Sequence, residues 1–145
     1  MQASLSSPRT VSEILIFDTS VLVDDLRTGR HQPKIQSMTG LVRNCSVVLA
    51  ELWRGATARA EQRFLRALER NYPVLTPTKA NWIDSGKILA EIRSQTGFSP
   101  DKLRDLHFDV LIALTARAHG ARIVSSNRNH FVLIQRYRKF ELELW

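Results

Sequence analysis

The sequence predicts an α/β domain, with a mostly parallel sheet covered by helices on both faces. Three observations carry that prediction. Short β-branched or aromatic runs at Glu13–Asp18, Cys45–Val48, Tyr72–Leu75 and Arg122–Ser125 alternate with longer stretches of helical periodicity. The stretch Asp101–Ala118 carries apolar residues nearly all round a helix, from Leu106 through Val110, Leu111, Ile112 and Leu114, so it should be buried. Finally, 145 residues with 43% hydrophobic and 24% charged suit one soluble domain with one core. Strands alternating with helices imply right-handed βαβ crossovers, and sites in such sheets sit at the carboxyl ends of the strands.

Taken in order, a polar N-terminal tail of about residues 1–11 precedes the first buried strand, Glu13–Asp18, within a single domain spanning residues 1–145. Thr19 or Ser20 can cap a helix from Val21 to Arg27. Gly29 and Pro33 break the chain before a short helix over Lys34–Val42. Cys45–Val48 reads as the second strand, running into a helix that ends at Gly55, and Thr57–Arg70 as a further helix. In that helix Ala60, Phe64, Ala67 and Leu68 share one face, while Arg59, Arg63, Arg66 and Arg70 share another. After the short strand Tyr72–Leu75, a long helix from Pro77 to Thr96 stops at Gly97, a residue suited to a helix C-terminus. Arg122–Ser125 is a buried strand, Arg128–Gln135 a short helix, and Phe140–Leu144 an alternating terminal strand.

The charge balance is basic: 21 Lys and Arg against 14 Asp and Glu, a formal +7. Such an excess favours a polyanionic partner, because cationic side chains that neutralise phosphates release condensed counterions. A lone cysteine, Cys45, cannot form an internal disulfide, and the first apolar run, Ile14–Phe17, is too short for a signal peptide or membrane span. The expected location is the cytoplasm, with no membrane partner. Trp53, Trp82 and Trp145 read as core or interface anchors.

Three acids stand beside elements expected to be buried. Asp18 follows the first strand, Glu51 lies at the opening of the helix after the second, and Asp109 lies within the most apolar helix. An ionised carboxylate there is expensive to bury without a counter-charge, and no Lys or Arg is spaced to supply one. Alternative readings stay open at this point. Asp18 would serve as a helix cap, Glu51 as a first-turn acid favoured by the helix dipole, and Asp109 as a solvated helix residue. Carboxylates without Cys/His spacing favour Mg²⁺ or Mn²⁺ over zinc, and such ions activate water for phosphodiester cleavage. A phosphoaspartate enzyme would also put an acid after the first strand. A haloacid-dehalogenase type wants a second acid where Ser20 stands, and a receiver wants an acidic pair and a late Lys that are missing here.

The segments Ile-Phe-Asp18-Thr-Ser20-Val-Leu-Val, Ser46-Val-Val-Leu-Ala-Glu51-Leu-Trp-Arg-Gly55, Leu106-His-Phe-Asp109-Val-Leu-Ile-Ala113 and Val124-Ser-Ser-Asn127-Arg-Asn-His-Phe131 resemble, in order and spacing, the four motifs of PIN-domain proteins. The short single-domain form resembles the VapC-like toxins of toxin–antitoxin pairs. The resemblance implies a three-layer α/β/α fold and an endoribonuclease using one or two Mg²⁺ or Mn²⁺ ions held by Asp18, Glu51 and Asp109. It also implies a homodimer and a separate antitoxin that lays an amphipathic segment along a groove near the early helices. Ser125 takes the place of a Thr whose hydroxyl supports the acids, and Asn127 matches a polar residue of the fourth motif. His130 departs from the family pattern, standing where many relatives carry an acid. Asp105, one turn before Asp109, is a candidate replacement for that charge. The missing acid keeps a second reading in view, a catalytically weak or inactive RNA-binding or regulatory PIN-like protein. For either, the arginine face at 59, 63, 66 and 70 is a candidate RNA contact.

Overall fold

Each strand feeds a helix rather than a hairpin, so parallel pairing follows throughout. The computed structural model describes residues 13–145, and the expected loose tail lies outside the described residues. Along the chain run β1 (Ile14–Phe17), α1 (Thr19–Thr28), α2 (Gln32–Ser37), β2 (Leu41–Cys45), α3 (Ser46–Gly55), α4 (Arg59–Asn71), β3 (Val74–Leu75), α5 (Lys79–Thr96), α6 (Pro100–Ala118), β4 (Arg122–Ser125), α7 (Arg128–Gln135) and β5 (Glu141–Leu144). The strands form one parallel sheet in the order β3-β2-β1-β4-β5.

Successive residues of the central strands point to opposite faces, and each face has its own core. Ile16 and Ile123 join a large cluster with Leu52, Leu65, Ile88, Ile92 and the buried side of α6. Phe17 and Val124 join a smaller one with Val21 of α1, flanked by Ile35, Met38 and Trp145. The result is a three-layer α/β/α fold. From β1 the chain steps outward to β2 and β3, then returns to lay β4 on the other side of β1. That reversal opens a crevice at the carboxyl ends of β1 and β4, where Asp18 and Ser125 stand.

Several boundaries differ from the sequence reading. The second strand is Leu41–Cys45, and helix α3 begins at Ser46. Val47 and Val48 favour strands by propensity, but both are buried in the first turn of α3, where packing overrides that preference. The polar Arg43 and Asn44 hid the true strand. Asn44 is buried because its amide donates to the Leu68 and Tyr72 carbonyls at 2.7 and 3.2 Å. The helix expected over Lys34–Val42 ends at Ser37, since Leu41 and Val42 pair with β1. The strand expected over Tyr72–Leu75 shrinks to Val74–Leu75, because the Tyr72 N–H closes α4 on the Leu68 carbonyl at 3.1 Å.

Helix α4 buries Leu65, with Phe64 and Leu68 half-buried and Ala60 exposed, so its apolar face is turned slightly from the expected one. Gly97 ends α5 at φ 70° as expected. Gly40 matters for another reason: a Cβ there would stand 2.8 Å from the Glu13 carbonyl, where β2 enters beside β1. Helix α6 is buried at Leu106 and from Asp109 to Ala116, while Asp101, Lys102, Arg104 and Asp105 at its start are exposed.

Candidate active site

Asp18 continues the β1 ladder, its N–H donating to the Val124 carbonyl at 2.9 Å, and only 2% of it is exposed. It holds the N-cap position of α1, yet its carboxylate accepts no capping hydrogen bond from the backbone N–H groups of that helix. The capping alternative therefore fails. Oδ2 instead accepts the hydroxyls of Ser20 and Ser125, each at 2.8 Å. Both serines are oriented for this task by the turn after β4. The Ser126 N–H donates to Ser20 Oγ at 3.2 Å and the Asn127 N–H to Ser125 Oγ at 2.9 Å. With backbone donors on their lone pairs, both hydroxyls turn their hydrogens to Asp18.

Glu51 stands in the second turn of α3, not at its opening, and the first turn holds no acid. The first-turn dipole reading therefore has no basis. Its Oε1 accepts the Thr19 hydroxyl at 2.8 Å. Burial pushes the Glu51 carboxyl above its ordinary range and the charge of Asp18 adds to the effect, against the Thr19 hydrogen bond and Arg54.

Asp109 is buried on α6, which removes the solvated-residue alternative. His130 Nδ1 lies 2.6 Å from its Oδ2, and Asn127 Nδ2 lies 3.5 Å from the same atom. Burial first, then repulsion from Asp18, raise its pKa to about 7; the His130 contact pulls it down, and Glu51 pushes it further up. Each of the three acids thus acts electrostatically on another. Among the described residues, none forms a salt bridge with Lys or Arg. One oxygen of each, Asp18 Oδ1, Glu51 Oε2 and Asp109 Oδ1, accepts no hydrogen bond there either.

Buried and half-buried carboxylates repelling one another, each with an uncommitted oxygen and no Lys or Arg salt bridge, fit a hard divalent cation. Among the described residues, no three His, Cys, Asp or Glu side chains already converge as a ligand set. His130 and Asn127 reach the cluster through Asp109. Asp105 does not: it is exposed and lines an open groove with Glu51, Arg54, Arg104, His107 and Phe108. Arg59, Arg63, Arg66 and Arg70 are exposed on α4.

Thr19 and Ser20, read from sequence as cap candidates, bond the acids instead. Two adjacent hydroxyls directly after a strand-end acid were the available signal. A second, largely apolar groove also reaches Glu51, between Val23 and Leu26 of α1, Leu52 and Ala56 beside α3, and Leu65 of α4, with Arg27 and Glu61 at its polar margin.

Among the described residues, no helix is long and apolar enough to cross a membrane. No curated protein matches the sequence. The fold is similar to a chain in the structure of VapBC2 from Rickettsia felis bound to a DNA fragment from their promoter. That match has a TM-score of 0.65 at 20% identity, covering 91% of this chain and 98% of that one. VapBC-1 from nontypeable Haemophilus influenzae gives 0.65 at 18% identity, with coverages of 91% and 98%. DNA-bound VapBC from Salmonella typhimurium gives 0.62 at 24% identity, covering 92% and 98%. The family model for the PIN domain matches residues 15–136, which take in all three acids, Ser125, Asn127 and His130; the chain belongs to the PIN domain family.

Proposed function

We propose that the protein is a VapC-like toxin, an endoribonuclease dependent on Mg²⁺ or Mn²⁺ that acts in the cytoplasm and is restrained by an antitoxin. PIN domains are generally nucleases. One observation carries the reading: Asp18, Glu51 and Asp109 come from three different elements, act on one another electrostatically, and form no salt bridge with Lys or Arg among the described residues. These three would hold one or two ions. A bound ion would supply Lewis acidity, lowering the pKa of water and offsetting charge on the leaving oxygen of a phosphodiester.

The chain's own groups prepare that site. Ser20 and Ser125 occupy Asp18 Oδ2 and leave Oδ1 for a ligand. Thr19 does the same for Glu51, and His130 for Asp109. The His130–Asp109 contact, 2.6 Å between Nδ1 and Oδ2, also fixes the orientation of the Asp109 carboxyl.

The VapBC neighbours support an antitoxin, and the apolar groove beside Glu51 suits the amphipathic segment of one. A homodimer belongs to the same reading. The decisive experiment incubates the purified chain with total RNA in Mn²⁺ and in EDTA, beside Asp18→Asn and Asp109→Asn. Cleavage in Mn²⁺ alone, lost in both variants while their circular dichroism persists, is the expected result. Undiminished cutting by both variants would refute the reading. His130 in place of an acid favours the second reading, a weak or inactive RNA-binding protein. A gel shift without cleavage in Mn²⁺ would establish it.

A further inference from the structure

Two grooves meet at Glu51, and their walls differ in kind. The first, between α1, α3 and α4, is mostly aliphatic. The second lies between α3 and the exposed start of α6 and is walled by Arg54, Arg104, Asp105, His107 and Phe108. We propose that single-stranded RNA lies along this α3/α6 groove, with its phosphates on Arg54 and Arg104 and a base against Phe108. The inference rests on the ribonuclease reading and deepens it by naming the strand's path.

The chemistry of the second wall matches a single strand and that of the first does not. A strand without a partner presents phosphates and open π faces, which need cations and an aromatic surface. The Arg54 guanidinium carbon sits 5.8 Å from the Phe108 ring centroid, so an entering base meets a ring and a guanidinium plane together. Arg104 is 72% exposed, and its carboxylate partner, Asp101, is 85% exposed, a pairing that phosphate can replace. Asp105 repels phosphate from its own position and confines the backbone to the arginines.

His107 adds an independent observation. The Ser85 hydroxyl donates to the Trp82 carbonyl at 2.6 Å, which uses its only hydrogen. His107 Nε2, 3.0 Å from Ser85 Oγ, must then be the donor in that contact. His107 lines the groove, and its Nδ1 has no hydrogen-bond partner among the described residues. A ribose 2′-hydroxyl, both donor and acceptor, is a partner such an atom can take. The arginines at 59, 63, 66 and 70 line neither groove.

The test measures anisotropy of a short fluorescent single-stranded RNA of mixed sequence, bound to the full chain in EDTA over a range of KCl concentrations. Arg54→Gln with Arg104→Gln should weaken binding about tenfold at low salt and flatten the log–log salt slope by about 1.4, or about 0.7 per contact. Phe108→Leu should weaken binding about tenfold with the slope retained. Arg63→Gln with Arg70→Gln should change neither. A slope unaltered by the Arg54/Arg104 pair overturns the inference, and so does one flattened by the Arg63/Arg70 pair instead. Equal affinity for duplex RNA also overturns it, and so does RNA binding indifferent to every variant. Because this readout needs no cleavage, it fails separately from the ribonuclease reading, which falls if Asp18→Asn and Asp109→Asn both cut RNA undiminished in Mn²⁺.

Discussion

Asp109→Asn should make the metal-free protein more stable at alkaline pH, although it alters a candidate catalytic residue. The Asp109 carboxyl has a pKa of about 7 in the fold against an ordinary 3.8. The folded chain therefore holds this proton more tightly than the unfolded chain does. Stability falls as pH rises between those two values and stays at its lower level above them. Below both values the carboxyl is neutral in each state and contributes nothing. A separation of about three pKa units corresponds to a penalty on the order of 4 kcal/mol at pH 8, and to less than half of that at pH 5.

The asparagine cannot ionise, so the variant should gain about those amounts in EDTA. Urea unfolding followed by tryptophan fluorescence, at about pH 5 and about pH 8, reads the difference. Mg²⁺ should reverse the order by stabilising the parent, by about 2.7 kcal/mol at a hundredfold excess over its Kd, while doing little for the variant. Equal stability of parent and variant at pH 8 in EDTA would refute the electrostatic argument. Equal stabilisation of both by Mg²⁺ would remove Asp109 from the proposed ligands.

Other perturbations follow from the same geometry. His130→Ala removes the contact that pulls the Asp109 pKa down, so the pH at which stability reaches its lower level should move upward in the same urea experiment. Thr19→Val deletes the hydrogen bond that opposes the raised pKa of Glu51. RNA cleavage should fall on the acidic side of its pH profile and recover toward alkaline pH, the signature of a carboxylate that ionises later. Cys45 is 1% exposed and burial raises its thiol pKa, so an aromatic disulfide reagent should modify it no faster than the chain unfolds. Trp145 packs against Phe17 and His31, with ring centroids 5.8 and 5.3 Å away, and Lys34 Nζ stands 4.9 Å from its ring centroid. Trp145→Ala should cost about 2 kcal/mol in urea unfolding, less than a wholly buried ring would.

Arg138 shows why charge is harder to read from sequence than burial. With Arg136 and Lys139 it makes a basic group near the C-terminus. In the fold its guanidinium is committed to Asp84 through two hydrogen bonds, of 3.0 and 2.7 Å. The pairing spans 54 positions, so spacing along the chain carries no sign of it. The arginine face of α4 raises the opposite difficulty. Its helical spacing is plain, yet only the grooves show that Arg54 and Arg104, which share no pattern, flank Glu51.

The sequence alone determined what depends on local periodicity and on the burial of single residues. An apolar run ending in an acid marked β1 and Asp18, a helix apolar nearly all round marked α6 and Asp109, and strands alternating with helices marked the parallel sheet. Its failures were local as well, since Val47 and Val48 carry strand propensity but pack as helix. Only the tertiary structure decided what depends on residues far apart in the chain. It brought Ser125 and Ser20 to one oxygen of Asp18, Thr19 to Glu51, and His130 to Asp109, while leaving Asp105 in an open groove. A hydroxyl after a strand suits a helix cap as well as a buried carboxylate. The choice rests on which partner the crossing of β1, β4 and α3 brings within hydrogen-bond distance.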